Sequence, residues 1–172
     1  MRLSPLTFVI IAGAAWAASE LYHRRYPQPL QVSSEIAGHP RVTDGDTLRI
    51  DDHRNRLVGI DACEMGQPAV SNGGTFDCGA WARDGLTNLI GARTVRCDLH
   101  GKDIYDRHLG TCFVASQDLN KAMLTEGYAV VYSGEAPPPG YSIEESRART
   151  NGRGIWAFED IDDPRAYRAA TD

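Results

Sequence analysis

Between Arg41 and Ile60 the sequence carries the alternation of two strands joined by a polar turn. Val42, Leu48 and Ile50 stand between polar neighbours, Asp51-Asp52-His53-Arg54-Asn55 is the turn, and Arg56-Leu57-Val58-Gly59-Ile60 resumes a strand. One face of such a hairpin has to be covered, so the rest of the chain must supply further strands and helices. Residues 61–78 hold three glycines without periodicity and read as an irregular loop bounded by Cys63 and Cys78. Ala80, Trp81, Leu86, Leu89 and Ile90 recur at helical spacing ahead of Gly91, which predicts an amphipathic helix over 79–90. Thr94–Leu99 and His108–Val114 form a second hairpin around the polar segment 100–107. Asp118 caps a helix that runs to Glu126 and stops at Gly127. A short strand, Tyr128–Tyr132, leads to Pro137-Pro138-Pro139-Gly140, which cannot be regular structure. Ser142 opens a last helix, with Glu145 three residues on as in a capping box, and Gly152–Trp156 closes the domain. Four or five strands with a helix after the third predict an α+β, mainly β fold, a small Greek-key barrel.

A chain of 172 residues, 42% hydrophobic and 24% charged, is long enough for one globular domain and is neither disordered nor a polytopic membrane protein. Lys plus Arg number 18 against 23 Asp plus Glu, a net charge of −5, which argues against the broad basic footprint of a non-specific duplex-DNA binder. All the basic residues except Lys102 and Lys121 are arginines, the side chain suited to two-pronged contacts with phosphate. Leu3–Ala18 is almost wholly apolar behind Arg2, and Ala15-Trp16-Ala17 resembles a small-x-small cleavage site, so residues 1–18 read as an export signal. The stretch is shorter than the about 20 residues of a membrane span, and an uncleaved anchor that attaches the protein to the membrane is the alternative. Cys63, Cys78, Cys97 and Cys112 follow it, even in number and without a CxxC or Cys/His cluster, as expected for two disulfides in an oxidising compartment. Four cysteines allow three pairings, and composition leaves them open.

If the first hairpin turns between His53 and Arg54, Leu48 faces Gly59, Ile50 faces Leu57 and Asp46 faces Asp61. Directly opposed carboxylates repel, so a cation should lie between them. A hard divalent ion with oxygen ligands fits, and it would keep positions open for a phosphate. Asp44-Gly45-Asp46-Thr47 sets two acids around a tight turn, and Glu64 adds a third acid soon after Asp61. Arg56 and Arg107 supply the opposite charge that a phosphate ester needs. Flat-strand parity puts Arg56 and Asp61 on opposite faces, so the chain must twist or bulge between them.

Five motifs in order resemble the staphylococcal-nuclease-like (thermonuclease) family: Val42-Thr43-Asp44-Gly45-Asp46-Thr47-Leu48, Arg56-Leu57-Val58-Gly59-Ile60-Asp61-Ala62-Cys63-Glu64, Asp103-Ile104-Tyr105-Asp106-Arg107, Asp118-Leu119-Asn120 and Gly154-Ile155-Trp156. The resemblance covers about residues 39–157. It implies a five-stranded OB-fold Greek-key barrel with about three helices and a calcium-dependent phosphodiesterase acting on DNA or RNA. By that resemblance Asp46, Asp61 and the backbone carbonyl of Ala62 are the calcium ligands, with Asp44 near the ion. Glu64 orients or deprotonates the attacking water, and Arg56 and Arg107 bind the scissile phosphate and stabilise its added charge. Tyr105 and Tyr132 are placed to stack on bases of single-stranded or frayed nucleic acid.

Three positions depart from the family pattern. Cys63 stands where Pro is usual, Asp106 where Gly usually precedes the second arginine, and Ile104 where a basic residue is common. A second hairpin centred between Ile104 and Tyr105 would pair Cys97 with Cys112, and a Cys63–Cys78 bond would close the glycine-containing loop and stiffen it as a proline does. The resulting layout is an export signal or anchor (1–18), a spacer (19–38), a nuclease-like barrel (39–157) and an acidic tail (158–172), in an exported, monomeric protein. The competing function is a non-catalytic OB-fold module that binds single-stranded nucleic acid. A calcium-stabilised envelope domain accounts for the acids but not for Arg56 and Arg107.

Overall fold

The computed structural model describes residues 30–134 and 137–171, so the expected export segment lies outside the described residues. The chain opens with β1 (Ser34–Gly38), β2 (Arg41–Val42), β3 (Thr47–Ile50), β4 (His53–Leu57) and β5 (Ile60–Ala62). The main sheet runs β1-β8-β9-β4-β3-β2, where β8 is Val95–Lys102 and β9 is His108–Val114, and the short β10 (Gln117–Asp118) pairs with β9. All its pairings are antiparallel except β4 with β9, the parallel contact made where the chain crosses over. The sheet curls into a half-barrel, the OB-like, mainly β architecture expected from the sequence. Residues 34–38, placed in the spacer by composition, form its edge strand: Ile36 lies opposite Cys97.

The first hairpin turns two residues earlier than predicted. Asp51 takes a φ of 50°, the turn is Asp51-Asp52, and Thr47 lies opposite Arg56, Leu48 opposite Asn55 and Ile50 opposite His53. Aspartate tolerates the left-handed region, and this lets His53 join the strand. Leu48 changes partner from residue 59 to residue 55, an even step, so every side chain keeps its face: Leu48, Ile50 and Leu57 are buried while Arg49 is exposed. Asp46 is therefore not opposite Asp61; its carbonyl accepts from the Leu57 N–H at 2.7 Å. Between Leu57 and Ile60 the chain turns at Gly59, φ 77°, and β5 leaves β3 to pair with β11 (Ala129–Val131), Asp61 opposite Val130. That turn is the break in strand parity that Arg56 and Asp61 require.

The segment 61–78 is more regular than its glycines suggest. It holds a hairpin of β6 (Pro68–Ser71) and β7 (Gly74–Asp77) around Asn72-Gly73, both at positive φ, the turn chemistry of a tight two-residue hairpin. Helix α1 (Cys78–Ile90) follows, its N-terminus capped by the Asp77 carboxylate, which accepts from the Ala80 N–H. Helix α2 (Leu119–Thr125) is capped by Asp118 as predicted. Helix α3 (Tyr141–Thr150) is not closed by a Ser142–Glu145 capping box: Gly140, φ 89°, occupies its N-cap, and Glu145 instead accepts from the Val131 N–H at 2.7 Å. Leu48, Ile50, Leu57, Ile60, Leu86, Val95, Leu119, Met123 and Leu124 fill the core under the sheet. A second cluster, Cys63, Ala69, Cys78, Val130 and Ile155 with Phe76, Trp81 and Phe158 against it, clamps the 63–78 hairpin to the barrel.

Both disulfides have the expected pairing, Cys63–Cys78 and Cys97–Cys112, the second between residues directly opposed on β8 and β9. The C-terminal residues are not a free tail. β12 (Asp160–Ile161) pairs with β6, and α4 (Pro164–Thr171) starts at Asp163, whose carboxylate accepts from the N–H groups of Arg165 and Ala166. It is the fourth α-helix among the described residues, against the about three expected from the sequence. No helix among the described residues is long and apolar enough to cross a membrane.

Candidate active site

Three pieces of backbone converge where β3, β4 and β5 meet. Gly45 permits the first: a β-carbon there would fall 2.6 Å from that of Ala62 and 2.7 Å from that of Ala82, so only glycine lets the Asp44–Asp46 turn press against β5 and α1. Asp46 and Asp61 end up almost fully buried, 5% and 2% exposed. The cation between them is Arg56. Its Nη1 donates to Asp46 Oδ2 at 2.6 Å and its Nη2 to Asp61 Oδ1 at 2.9 Å, with a further bond to the Ile60 carbonyl. Asp46 Oδ1 accepts from the Thr47 hydroxyl, and its Oδ2 also lies 3.4 Å from the Ala62 N–H. Asp44 Oδ1 accepts from the Asp46 N–H at 3.1 Å. Burial, reinforced by the Asp46 charge, pushes the Asp44 carboxyl up to about 6. Burial works against the Arg56 charge as well, but Asp46 and Asp61 outweigh it and hold the guanidinium protonated.

Glu64 is half-exposed at the rim, on a turn fixed from several sides. The Gln67 amide oxygen accepts from the Glu64 N–H at 3.0 Å, the Gln67 N–H donates to the Glu64 carbonyl at 2.9 Å, and the Cys63–Cys78 bond ties the turn to α1. Gln67 is fully buried, and its Nε2 donates to the Asp162 carbonyl at 2.8 Å.

Arg107 sits in the β8–β9 hairpin and bonds within it. Asp103 accepts from the Arg107 N–H at 3.0 Å and from its Nε at 2.8 Å, and the guanidinium lies over the Tyr105 ring, 5.4 Å from its centre. Burial disfavours the Asp103 charge, but the Arg107 backbone and side-chain bonds, with the Tyr105 N–H, hold its carboxyl below the usual range. Asp106 takes a φ of 61°, which explains why glycine suits this position, and it pairs with Lys102 at 2.7 Å rather than with Arg107. Tyr132 lies beside the other arginine, with Arg56 5.9 Å from its ring centre. The fold thus brings Asp44, Asp46, Arg56, Asp61, Ala62, Glu64 and Tyr132 together, and holds Arg107 with Tyr105 as a separate pair.

Sequence reasoning missed Arg168. From α4 its Nη2 donates to Asp61 Oδ2 at 2.7 Å and its Nη1 bonds Glu64 Oε1, so it bridges the two carboxylates. The signal was Asp163-Pro164, an N-cap followed by proline in the first helical position, inside a stretch read only for its charge. Among the described residues no group of three or more His, Cys, Asp or Glu side chains stands together in ligating geometry. The donor set still suits a hard divalent cation. Its groups are all oxygens, and the three carboxylates Asp46, Asp61 and Glu64 meet only two guanidiniums, leaving negative charge uncompensated before Asp44 is counted.

Residues 54–158 match the family model described as staphylococcal nuclease homologue. The chain is 35% identical over 129 residues to the succinoglycan biosynthesis protein ExoI of Rhizobium meliloti, an alignment covering 73% of this chain and 66% of that protein. It is 32% identical over 133 residues to an uncharacterized endonuclease of Escherichia coli, covering 74% and 81%. It is also 28% identical over 151 residues to the probable endonuclease lcl3 of Sclerotinia sclerotiorum, covering 79% and 55%. With the family model matched over more than half of its length, on an OB-like half-barrel, this chain belongs to the staphylococcal nuclease homologue family.

Proposed function

We propose that the protein is a calcium-dependent nuclease that hydrolyses phosphodiester bonds of DNA, RNA or both, and that it works outside the cytoplasm. Family membership and relatives named as endonucleases support a nuclease. The observation that carries the reading is the buried Asp46–Arg56–Asp61 bridge with Glu64 stapled beside it. Burying two carboxylates and a guanidinium costs several kcal/mol per ion before pairing, so a purely structural role is an expensive use of them. Two disulfides favour an oxidising location, consistent with an export signal at 1–18.

In this reading Asp46, Asp61 and the Ala62 carbonyl hold calcium. When bound, the ion acts as a Lewis acid on a phosphoryl oxygen. Glu64, at the exposed rim, accepts the proton of the attacking water. Arg56 and Arg107 bind the phosphate oxygens and stabilise the charge that grows on them, a task suited to guanidiniums already fixed by Asp46, Asp61 and Asp103. Tyr132 and Tyr105, each beside one of these arginines, offer rings on which flanking bases stack. The test is to incubate the purified protein with single-stranded DNA and with RNA, in calcium or in chelator. Calcium-dependent cleavage is the expected result, and binding without cleavage in calcium would favour the OB-fold binding module instead.

A further inference from the structure

Every oxygen of Asp61 is engaged, one by Arg56 and the other by Arg168, and Arg168 also takes Glu64. Arg168 lies outside the part of the chain that matches the family model, which ends at residue 158. The helix that carries it is weakly anchored. Of the α4 residues only Pro164 is buried, and the Arg168 side chain is itself 30% exposed. The stretch just before the helix is secured: β12 pairs with β6, and the Asp162 carbonyl accepts from the buried Gln67 amide. The C-terminal segment is thus tied down at 160–162 and held beyond that mainly by ion pairs, so its far end can open locally at little cost.

We propose that Arg168 is a tethered internal cation that competes with a divalent ion for Asp61 and Glu64, making α4 a strap that closes the site and is released when the ion binds. The inference rests on the reading that this cluster takes calcium. In the closed form Arg168 offsets charge that the ion would otherwise neutralise, and it covers the carboxylate proposed to activate water. Binding exchanges one cation for another of higher charge. That exchange favours the ion at the cost of ordering that α4 contributes, so removing Arg168 strengthens calcium binding. Arg165, on the same helix and bonded to the Ser133 hydroxyl, carries the same charge without touching the cluster.

The test is calorimetric titration of calcium into the wild-type protein, Arg168→Ala and Arg165→Ala, with hydrogen exchange followed over 164–171 in the wild type with and without calcium. We expect Arg168→Ala to bind calcium about tenfold more tightly, Arg165→Ala to match the wild type, and exchange in α4 to speed up when calcium is added. Equal tightening in both variants would reduce the effect to net charge and overturn the proposal. Weaker binding in Arg168→Ala, or slower exchange in α4 with calcium, would make Arg168 a supporting residue and overturn it too. If the wild type binds calcium while Arg168→Ala binds no tighter, the strap fails and the metal reading stands. If neither binds calcium, both fail.

Discussion

Arg56 is the residue on which the buried charges depend, and this alters what its removal tests. Arg56→Ala leaves Asp46 and Asp61 without their shared partner, and breaking a buried pair in this way costs about 3–5 kcal/mol. We expect a markedly lower melting temperature as well as lost activity, with calcium restoring part of the stability. Glu64→Gln is the cleaner probe of chemistry. The side chain stands at the rim, so the melting temperature should hold while turnover falls by about 10²–10⁴-fold, the usual worth of a positioned proton acceptor. Wild-type turnover in Glu64→Gln would remove it from the mechanism. Asp103 gives a pH signature. Its carboxyl titrates lower in the folded protein than in the unfolded chain, so its stabilising effect is complete above the ordinary carboxylate range and is lost as pH falls through the depressed value. Asp103→Asn should flatten the acid limb of the stability profile and loosen Arg107. Acid unfolding unchanged by the substitution would show that Asp103 carries no such linkage.

At the scale of elements, what the sequence revealed depended on whether a local rule had a rival. Helix α1 was legible from its apolar spacing and the glycine that follows it, and α2 from its N-cap aspartate and following glycine. The first hairpin was legible in its faces but not in its register, since an even slip moves no side chain across the sheet. The β6–β7 hairpin was hidden although Asn72-Gly73 is a strong turn signal, because its short strands lack clear alternation and are held by the Phe76 and Phe158 cluster. At α3, Ser142 and Glu145 satisfied a pattern whose partner lay elsewhere, at the Val131 N–H. The Cys63–Cys78 bond joins the turn that carries Glu64 to the first residue of α1. Closing a loop of about 15 residues contributes roughly 3 kcal/mol in the chain-entropy model. Replacing both cysteines by alanine should lower stability on that order and depress turnover by freeing Glu64. Full activity in that double variant would show that Gln67 alone suffices to position the turn.

For the molecule as a whole, the candidate site was legible where it lies within contiguous motifs and hidden where distant segments meet. Asp46, Asp61 and Glu64 could be read from 44–64, whereas Arg168 reaches Asp61 across more than a hundred residues, on a helix that follows the β12–β6 pairing. The same gathering of charge makes global stability respond to an ion. A cation that binds only the folded protein adds about 2.7 kcal/mol at a hundredfold excess over its dissociation constant. For a chain of this size each kcal/mol raises the melting temperature by roughly 2–4 °C, so saturating calcium should raise it by about 5–10 °C and chelator should reverse the rise. Asp46→Asn should abolish the shift, since it removes the charge of a proposed calcium ligand, and it also weakens the pair with Arg56. Asp61→Asn should also abolish it, and in the ion-free protein it weakens the pairs with Arg56 and Arg168. A thermal shift that persists in both variants would place calcium somewhere other than between β3 and β5.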